Sequence, residues 1–310
     1  MTLPYRWQWR LERWKNALRG FFGGGEQQPR PKLCPACGAL VGINATRCHE
    51  CGTSLRFSLA ALSKQFSGIF GDNEVPVTTV VLILNLLLFG ISVLATSQST
   101  GTLNLFGGVD GRVLYRMGAR QSIAILSGEW WRLVLPIFLH GGLIHIGFNT
   151  MFLVDIGPQV ERLYGSARYM FIYVFTGICS FLASTAWNLF RYGGFGVAIG
   201  ASGALAGLVG VMLGMTTRRG GTYAREIRSQ MMRMVLYLVI MAILPFGIDN
   251  AAHFGGLAVG FLLGKFMADR EPLNAAEFRR AYALAWSAGI VVIASFVFMF
   301  LHLKETLPGQ

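Results

Sequence analysis

Long apolar runs separated by short polar segments make up the chain after residue 75. Seven of them predict membrane helices, at residues 76 to about 96, 143–160, 169–190, 202–216, 231–246, 251–267 and 281–303. Several approach the ~20 apolar residues that span a bilayer. About 45 residues between the first two runs, 97–141, contain no full span. The pattern predicts an all-α polytopic membrane protein with seven transmembrane helices.

The first 32 residues are basic and amphipathic and end in a linker rich in Gly and Pro. Apolar residues recur there at helical spacing with arginines between them, namely Trp7, Leu11, Trp14, Leu18 and Phe21. One interpretation is a helix that lies on an anionic membrane surface. The other is a solvated helix that packs on the next module. A mitochondrial targeting sequence ranks lower, because Glu12 interrupts the basic pattern.

Residues 33–56 contain two C-x-x-C pairs that predict a small zinc ribbon. Cys34 and Cys37 form the first pair, and Cys48 and Cys51 form the second. Four thiolates complete a tetrahedral Zn²⁺ site, and so short a module has little core without metal. A pair of disulfides is the alternative in an oxidising compartment. We expect one structural zinc per chain and no cofactor for catalysis.

Composition and charge support this membrane assignment and orient the chain. Hydrophobic residues make up 53% of the sequence and charged residues 14%. If the N-terminus is cytoplasmic, 21 of the 27 Lys and Arg residues lie on the inner side. The net charge of +12 therefore needs no nucleic-acid partner. This orientation puts the zinc ribbon in the cytosol, and the C-terminus and the start of the fourth span on the outer side.

Three spans carry polar residues that converge on the outer half of the bilayer. His145 and Asn149 share one face of the second span, Ser202 begins the fourth, and His253 lies in the sixth. A single Ser or His in a membrane helix is usually a packing or hydrogen-bonding residue. Together, Ser202 and His253 can act as a nucleophile and its base. The Ser202 backbone N–H and the side chains of Asn149 and His145 are candidate oxyanion donors.

Glycines predict how the fourth and sixth spans approach each other. Small faces run along both spans, at Gly203, Gly207, Gly210 and Gly214 on one and at Gly256, Gly260 and Gly264 on the other. Such faces let membrane helices pack closely. Asp249 and Asn250 are expected to help wet a polar cavity, whereas Asp155 and Glu161 are expected to cap or pair at the inner edge.

The order and spacing of these motifs resemble the rhomboid family of intramembrane serine proteases. The matching stretches are Trp131-Arg132-Leu133, His140-x4-His145-x3-Asn149, Glu161-Arg162-x-x-Gly165, Gly200-Ala-Ser202-Gly and Ala252-His253-x-Gly-Gly. The resemblance implies a six-helix rhomboid core at 76–270, followed by an extra transmembrane helix at 281–303. It also implies that Trp131 and Arg132 belong to a loop resting in the outer leaflet.

The resemblance further implies cleavage of transmembrane protein substrates near the outer surface by a Ser202–His253 dyad. We expect a multi-pass protein of the bacterial inner membrane, with the lipid bilayer and transmembrane substrates as partners and no nucleic acid. Many members carry an aromatic four residues after the serine, but Ala206 stands there, so Phe254 or Phe148 is a candidate support for His253. The alternative function is a weakly active or non-catalytic rhomboid-like protein that binds transmembrane clients, with the zinc ribbon as an interaction module. A transporter or channel is disfavoured, since no inverted repeat is evident.

Overall fold

The computed structural model describes residues 32–34, 39–42, 45–50, 52, 54–55, 74–101, 108–243 and 248–306. The chain divides into two compact units, Met1–Phe57 and Ser58–Gln310. The predicted N-terminal amphipathic helix lies outside the described residues, as do Cys37 and Cys51.

The first unit contains two small turns, each of which begins at one of the predicted zinc ligands. Strands β1 (Lys32–Leu33) and β2 (Leu40–Val41) pair antiparallel, and the Cys34 N–H donates to the Ala39 carbonyl at 2.7 Å. The second turn is closed by a bridge between Arg47 and Ser54. The Cys34 and Cys48 side chains are both buried.

The described part of the second unit is helical and contains seven helices of at least 15 residues, at or near the positions of the predicted spans. They are α1 (Pro76–Thr100), α4 (Leu143–Tyr164), α5 (Ser166–Tyr192), α6 (Ser202–Thr216), α7 (Gly221–Ile243), α8 (Asn250–Phe266) and α9 (Ala275–Thr306). Three helices in the described part of the chain are long and apolar enough to cross a membrane: Pro76–Thr100, Ser166–Tyr192 and Ala275–Leu303. Helix α6 is a shorter apolar helix.

Helix α7 begins ten residues earlier than the apolar pattern predicts, at Gly221 instead of residue 231. The first half of the helix carries charged residues, so the apolar pattern does not include it in the predicted span. One face is nevertheless apolar and buried, with Ala224, Ile227, Met231 and Met234 at helical spacing. Burial of that face explains why the helix begins before the apolar run.

Helix α6 lies at the centre of the packing, between α4, α5 and α8. Residues 203–216 are all buried apart from Leu213, which is half-buried. The predicted glycine faces are confirmed as the contact between α6 and α8. A Cβ at Gly256, Gly260 or Gly264 would overlap the backbone carbonyl of Gly203, Gly207 or Val211, respectively. The two backbones therefore touch directly along this face.

A carboxylate near the end of α4 caps the start of α1. The first N–H groups of a helix have no intrahelical partners. Glu161 accepts the backbone N–H groups of Val77 and Thr78 at 2.9 and 2.8 Å, together with the hydroxyls of Thr78 and Ser166, both at 2.7 Å. The expected structural role of Glu161 is thus a helix cap.

The segment between α1 and α4 forms short elements that pack against the helices. These are α2 (Gly111–Arg116), β3 (Arg120–Gln121), α3 (Ser122–Leu126) and two 3-10 helices, η1 (Trp130–Leu133) and η2 (Leu135–Phe138). β3 pairs antiparallel with β4 (Val197–Ala198), with Arg120 opposite Ala198. This pairing ties the segment to the residues that lead into α6.

Both members of the Trp-Arg motif are buried, and they anchor this segment in different ways. Arg132 donates to Glu129 at 2.7 Å and to the carbonyls of Tyr115 and Ala119 at 2.7 and 2.9 Å. Trp131 stacks on Phe298 of α9, with ring centroids 6.4 Å apart and planes 11° from parallel. The seventh long helix therefore covers η1.

Candidate active site

Ser202 is the first residue of α6, and Gly200 shapes the approach to it. Gly200 has a φ of +122°, a conformation that L side chains rarely adopt. Its N–H donates to the Pro136 carbonyl at 2.8 Å, which holds the approach against η2. The first backbone bond of α6 runs from the Leu205 N–H to the Ala201 carbonyl at 3.0 Å. The earlier amides, including that of Ser202, are those that a helix start leaves without intrahelical partners.

The glycine contact places the starts of α6 and α8 side by side. A Cβ at Gly203 would lie 3.5 Å from the Ala252 carbonyl, and one at Gly256 would overlap the Gly203 carbonyl. Ser202 is adjacent to Gly203 in sequence, and His253 is adjacent to Ala252. The turn that carries the serine therefore packs directly on the turn that carries the histidine.

His145 of α4 lies close to the same place. A Cβ at Gly200 would lie 2.6 Å from His145 Nε2 and 3.7 Å from Ser202 Oγ. The imidazole and the hydroxyl thus flank the same backbone position. His145 Nδ1 accepts the Gly141 N–H at 3.4 Å, and its ring centroid lies 5.2 Å from that of His140.

Asn149 lies one turn after His145 and is 5% exposed. Its Nδ2 donates to the His145 carbonyl at 3.1 Å, so one amide N–H is used within α4. A carboxamide has two N–H donors, which leaves the second for another acceptor. Polar groups from three helices, α4, α6 and α8, are thereby gathered at one end of the bundle.

The support of the His253 ring differs from the aromatic arrangements considered from the sequence. Its Nδ1 is buried and has no hydrogen-bond partner in the part of the chain that the structure describes. Neither Phe254 nor Phe148 makes a ring contact with it among those residues, and their side chains are 74% and 54% exposed. Ala206 is buried, with 1% of its surface exposed, and its methyl side chain cannot support the imidazole as an aromatic ring would.

Asp249 and Arg120 are a pair that the sequence did not reveal. Asp249 is the N-cap of α8, where its Oδ1 accepts the Ala252 N–H at 3.0 Å. Its Oδ2 accepts from Arg120 Nη2 at 3.4 Å and from the Ser184 hydroxyl. Arg120 is 129 residues away, so no local pattern could connect the two. The sequence signal is a carboxylate one turn before His253, which by itself predicts only a polar group that helps wet the cavity.

The fold and site together define a helical membrane protein with a half-buried serine, a half-buried histidine and a buried asparagine at one end of its bundle. The family model described as Rhomboid domain matches residues 127–270, which include all of the site residues on α4, α6 and α8. That range also contains Arg132 and Glu161, whose anchoring and capping bonds fix the fold around the site.

Named relatives support the same comparison. Rhomboid protease GluP of Bacillus subtilis is 31% identical over 70% of this chain and 40% of its own length. Putative rhomboid protease YdcA of the same organism is 35% identical over 46% of this chain and 69% of its own length. RHOMBOID-like protein 5 of Arabidopsis thaliana is 36% identical over 52% of each chain. The chain thus spans between two fifths and about two thirds of these relatives.

The chain belongs to the rhomboid family. The family predicted from the motifs is confirmed, and the names of GluP and YdcA describe these two relatives as rhomboid proteases.

Proposed function

We propose that this protein is an intramembrane serine endopeptidase that cleaves transmembrane segments of membrane proteins near the outer surface, with Ser202 as nucleophile and His253 as base. The observation that carries the proposal is the packing of Gly203 against Ala252 and Gly256. It brings the turn that bears the hydroxyl onto the turn that bears the imidazole. A serine used only for packing needs no imidazole beside it.

In the proposed reaction, His253 takes the hydroxyl proton as Ser202 Oγ attacks the scissile carbonyl carbon. The carbonyl oxygen becomes an oxyanion that needs hydrogen-bond donors. The Ser202 backbone N–H, at the start of α6, and the second N–H of Asn149 are suited to this, and His145 lines the same pocket. His253 then protonates the departing amine. Water, deprotonated by the same histidine, hydrolyses the acyl-enzyme and frees Ser202.

The bilayer core holds no water, so the site must open to the aqueous phase. A substrate helix has its carbonyls hydrogen-bonded, so it must unwind before Ser202 can attack. We therefore propose single-span or multi-span membrane proteins with small or helix-breaking residues near the cut as substrates. The distribution of Lys and Arg supports a cytoplasmic N-terminus and an outward-facing site in a bacterial inner membrane.

We also propose that the N-terminal unit is a structural zinc ribbon. Its described half fits four-cysteine coordination, because Cys34 and Cys48 are both buried at the starts of hydrogen-bonded turns. Zinc bound there would cross-link the two turns and stabilise a unit whose described residues include only one other buried residue, Val41. A closed site of this kind takes no part in the cleavage reaction.

A second candidate function is non-catalytic binding of transmembrane clients. It is favoured by one observation: among the described residues, the buried Nδ1 of His253 has no hydrogen-bond partner, and Ala206 supplies no ring. An imidazole without a fixed orientation is less often placed to take the serine proton. The two functions differ in one measurable respect, since only the protease turns over substrate.

The test is cleavage of a single-span substrate by the full chain reconstituted in liposomes. The wild type and Ser127→Ala, an exposed control whose hydroxyl bonds back to its own turn, are expected to cleave equally. Ser202→Ala and His253→Ala are expected to lose activity by about 10³-fold or more. A serine-reactive phosphonate is expected to label the wild type at Ser202. If wild type and both site variants behave alike across varied substrates, the protease proposal fails.

A further inference from the structure

Asp249 lies where three structural elements meet, one turn before His253. It caps α8 through Oδ1, and its backbone carbonyl accepts the His253 N–H at 3.2 Å. Its Oδ2 accepts from Ser184 of α5 and from Arg120 of β3. The carboxylate therefore joins the helix that carries His253 to α5 and to the segment between α1 and α4.

Arg120 is itself held in place by a chain of polar contacts. It is 5% exposed, and its Nη1 donates to the Ser122 hydroxyl at 3.1 Å. That hydroxyl donates to Asn188 Oδ1 at 2.8 Å, and Asn188 Nδ2 donates to the Phe195 carbonyl at 2.7 Å. Phe195 precedes β4, the strand that leads to Gly200 and Ser202. One network thus contacts both the approach to Ser202 and the start of α8.

The charge of this network bears on the chemistry at His253. Asp249 and His253 are four residues apart in the first turn of α8, so they share one side of the helix. Among the described residues, His145 of α4 is a second titratable group close to His253, and Arg120 contacts the site through Asp249. Helices α5 and α6 contribute hydroxyls there, from Ser184 and Ser202.

We propose that Asp249, held by Arg120 and Ser184, is a positioning residue for the Ser202–His253 reaction. It fixes the first turn of α8, and its negative charge stabilises the imidazolium that forms when His253 takes the Ser202 proton. A fixed charge strongly stabilises an opposite charge that develops nearby in the transition state, because little water is present to screen the two. The inference rests on the proposed protease function and adds a group that does not itself touch the substrate.

The decisive variant is Asp249→Asn, because Asn caps a helix about as well as Asp but carries no charge. If the charge matters, kcat falls about tenfold while KM stays within about twofold, since the loss occurs only in the transition state. The acidic limb of the pH–kcat profile also moves to lower pH, because a less stabilised imidazolium forms only in more acidic solution. Both are measured on the full chain in liposomes with a single-span substrate.

Asp110→Asn is the matched control. Asp110 is also an N-cap, that of α2, and its carboxylate also pairs with an arginine, Arg112, at 3.1 Å. The same exchange there is expected to leave kcat and the pH profile unchanged. Asp249→Ala removes the cap as well, and is expected to lower thermal stability in addition to kcat.

Loss of one partner from a buried ion pair can impair folding by itself. The double variant Arg120→Met, Asp249→Asn therefore accompanies the single one, because it leaves no unpaired charge. It is expected to unfold at a temperature close to that of the wild type and to keep the tenfold lower kcat. Phosphonate labelling of Ser202 reports an intact site in each variant.

Two results separate this inference from the function on which it rests. A wild-type protein that neither cleaves substrate nor is labelled at Ser202 overturns both. An active wild type in which Asp249→Asn keeps its kcat and pH profile overturns the inference alone, and leaves Asp249 as a helix cap.

Discussion

Gly203 and Gly256 pack backbone against backbone, with no space between them for even one methyl group. A Cβ on Gly256 would overlap the Gly203 carbonyl, and the same relationship repeats one turn further on between Gly207 and Gly260. This contact sets the distance between α6 and α8. Because Ser202 is adjacent to Gly203 and His253 lies one helical turn before Gly256, the geometry of the proposed dyad depends on residues that have no side chain.

Gly256→Ala is expected to lower both stability and activity. The added methyl group must push the two backbones apart, and overpacking of this kind typically costs about 1–3 kcal/mol. Thermal unfolding in micelles and cleavage in liposomes measure the two effects. Gly90→Ala is the control, because Gly90 lies in helix α1 and a Cβ there meets nothing within 4 Å. Equal behaviour of the two variants would contradict the close contact.

Gly200→Ala is expected to abolish activity through His145. The substitution has two costs: a backbone strained by a positive φ, roughly 1–3 kcal/mol, and a Cβ that would lie 2.6 Å from His145 Nε2. Gly196→Ala isolates the first cost, because Gly196 also has a positive φ, of +89°, but open space around its Cβ. Both variants should lose stability, whereas only Gly200→Ala should lose labelling of Ser202.

Phe298→Ala is expected to loosen the segment around η1. The ring of Phe298 stacks on Trp131 and meets Trp130 edge-on at 5.5 Å, and such aromatic pairs contribute about 0.5–1.5 kcal/mol each. Deuterium uptake by peptides covering residues 129–134 should therefore rise. Leu301→Ala, on an exposed position of α9, should leave that uptake unchanged. No difference between the variants would mean that α9 does not stabilise η1.

Purified full-length protein is expected to contain about one zinc ion per chain. Elemental analysis of Cys34→Ser and Cys48→Ser should find the metal lost, since three thiolates and a hydroxyl bind Zn²⁺ far more weakly than four thiolates. Cys179→Ser, in α5, should retain it. A zinc-free wild-type protein whose N-terminal unit is protected from proteolysis would contradict the zinc ribbon.

The positions of the long helices were predictable because apolar runs and glycine faces are local patterns. Relationships across long sequence distances were not. Nothing near Arg120 or Asp249 indicates their pairing, which follows from the way β3, α5 and α8 meet. The contact of Trp131 with Phe298 likewise depends on how α9 packs. The start of α7 does not follow from the apolar pattern for a different reason. One face of its first half is apolar at helical spacing, but the other face carries so many charged residues that the segment does not read as a membrane span.

The bond between Glu161 and Thr78 joins residues that are 83 positions apart. At elongation rates of about 5–20 residues per second, the ribosome adds that stretch in roughly 4–17 s. During this interval the start of the first membrane helix lacks the Glu161 carboxylate that accepts its N–H groups in the folded protein. The nascent first helix must therefore satisfy these groups with neighbouring residues, water or lipid headgroups until the second long helix has been synthesised, and a delay in translation between the two would lengthen that interval.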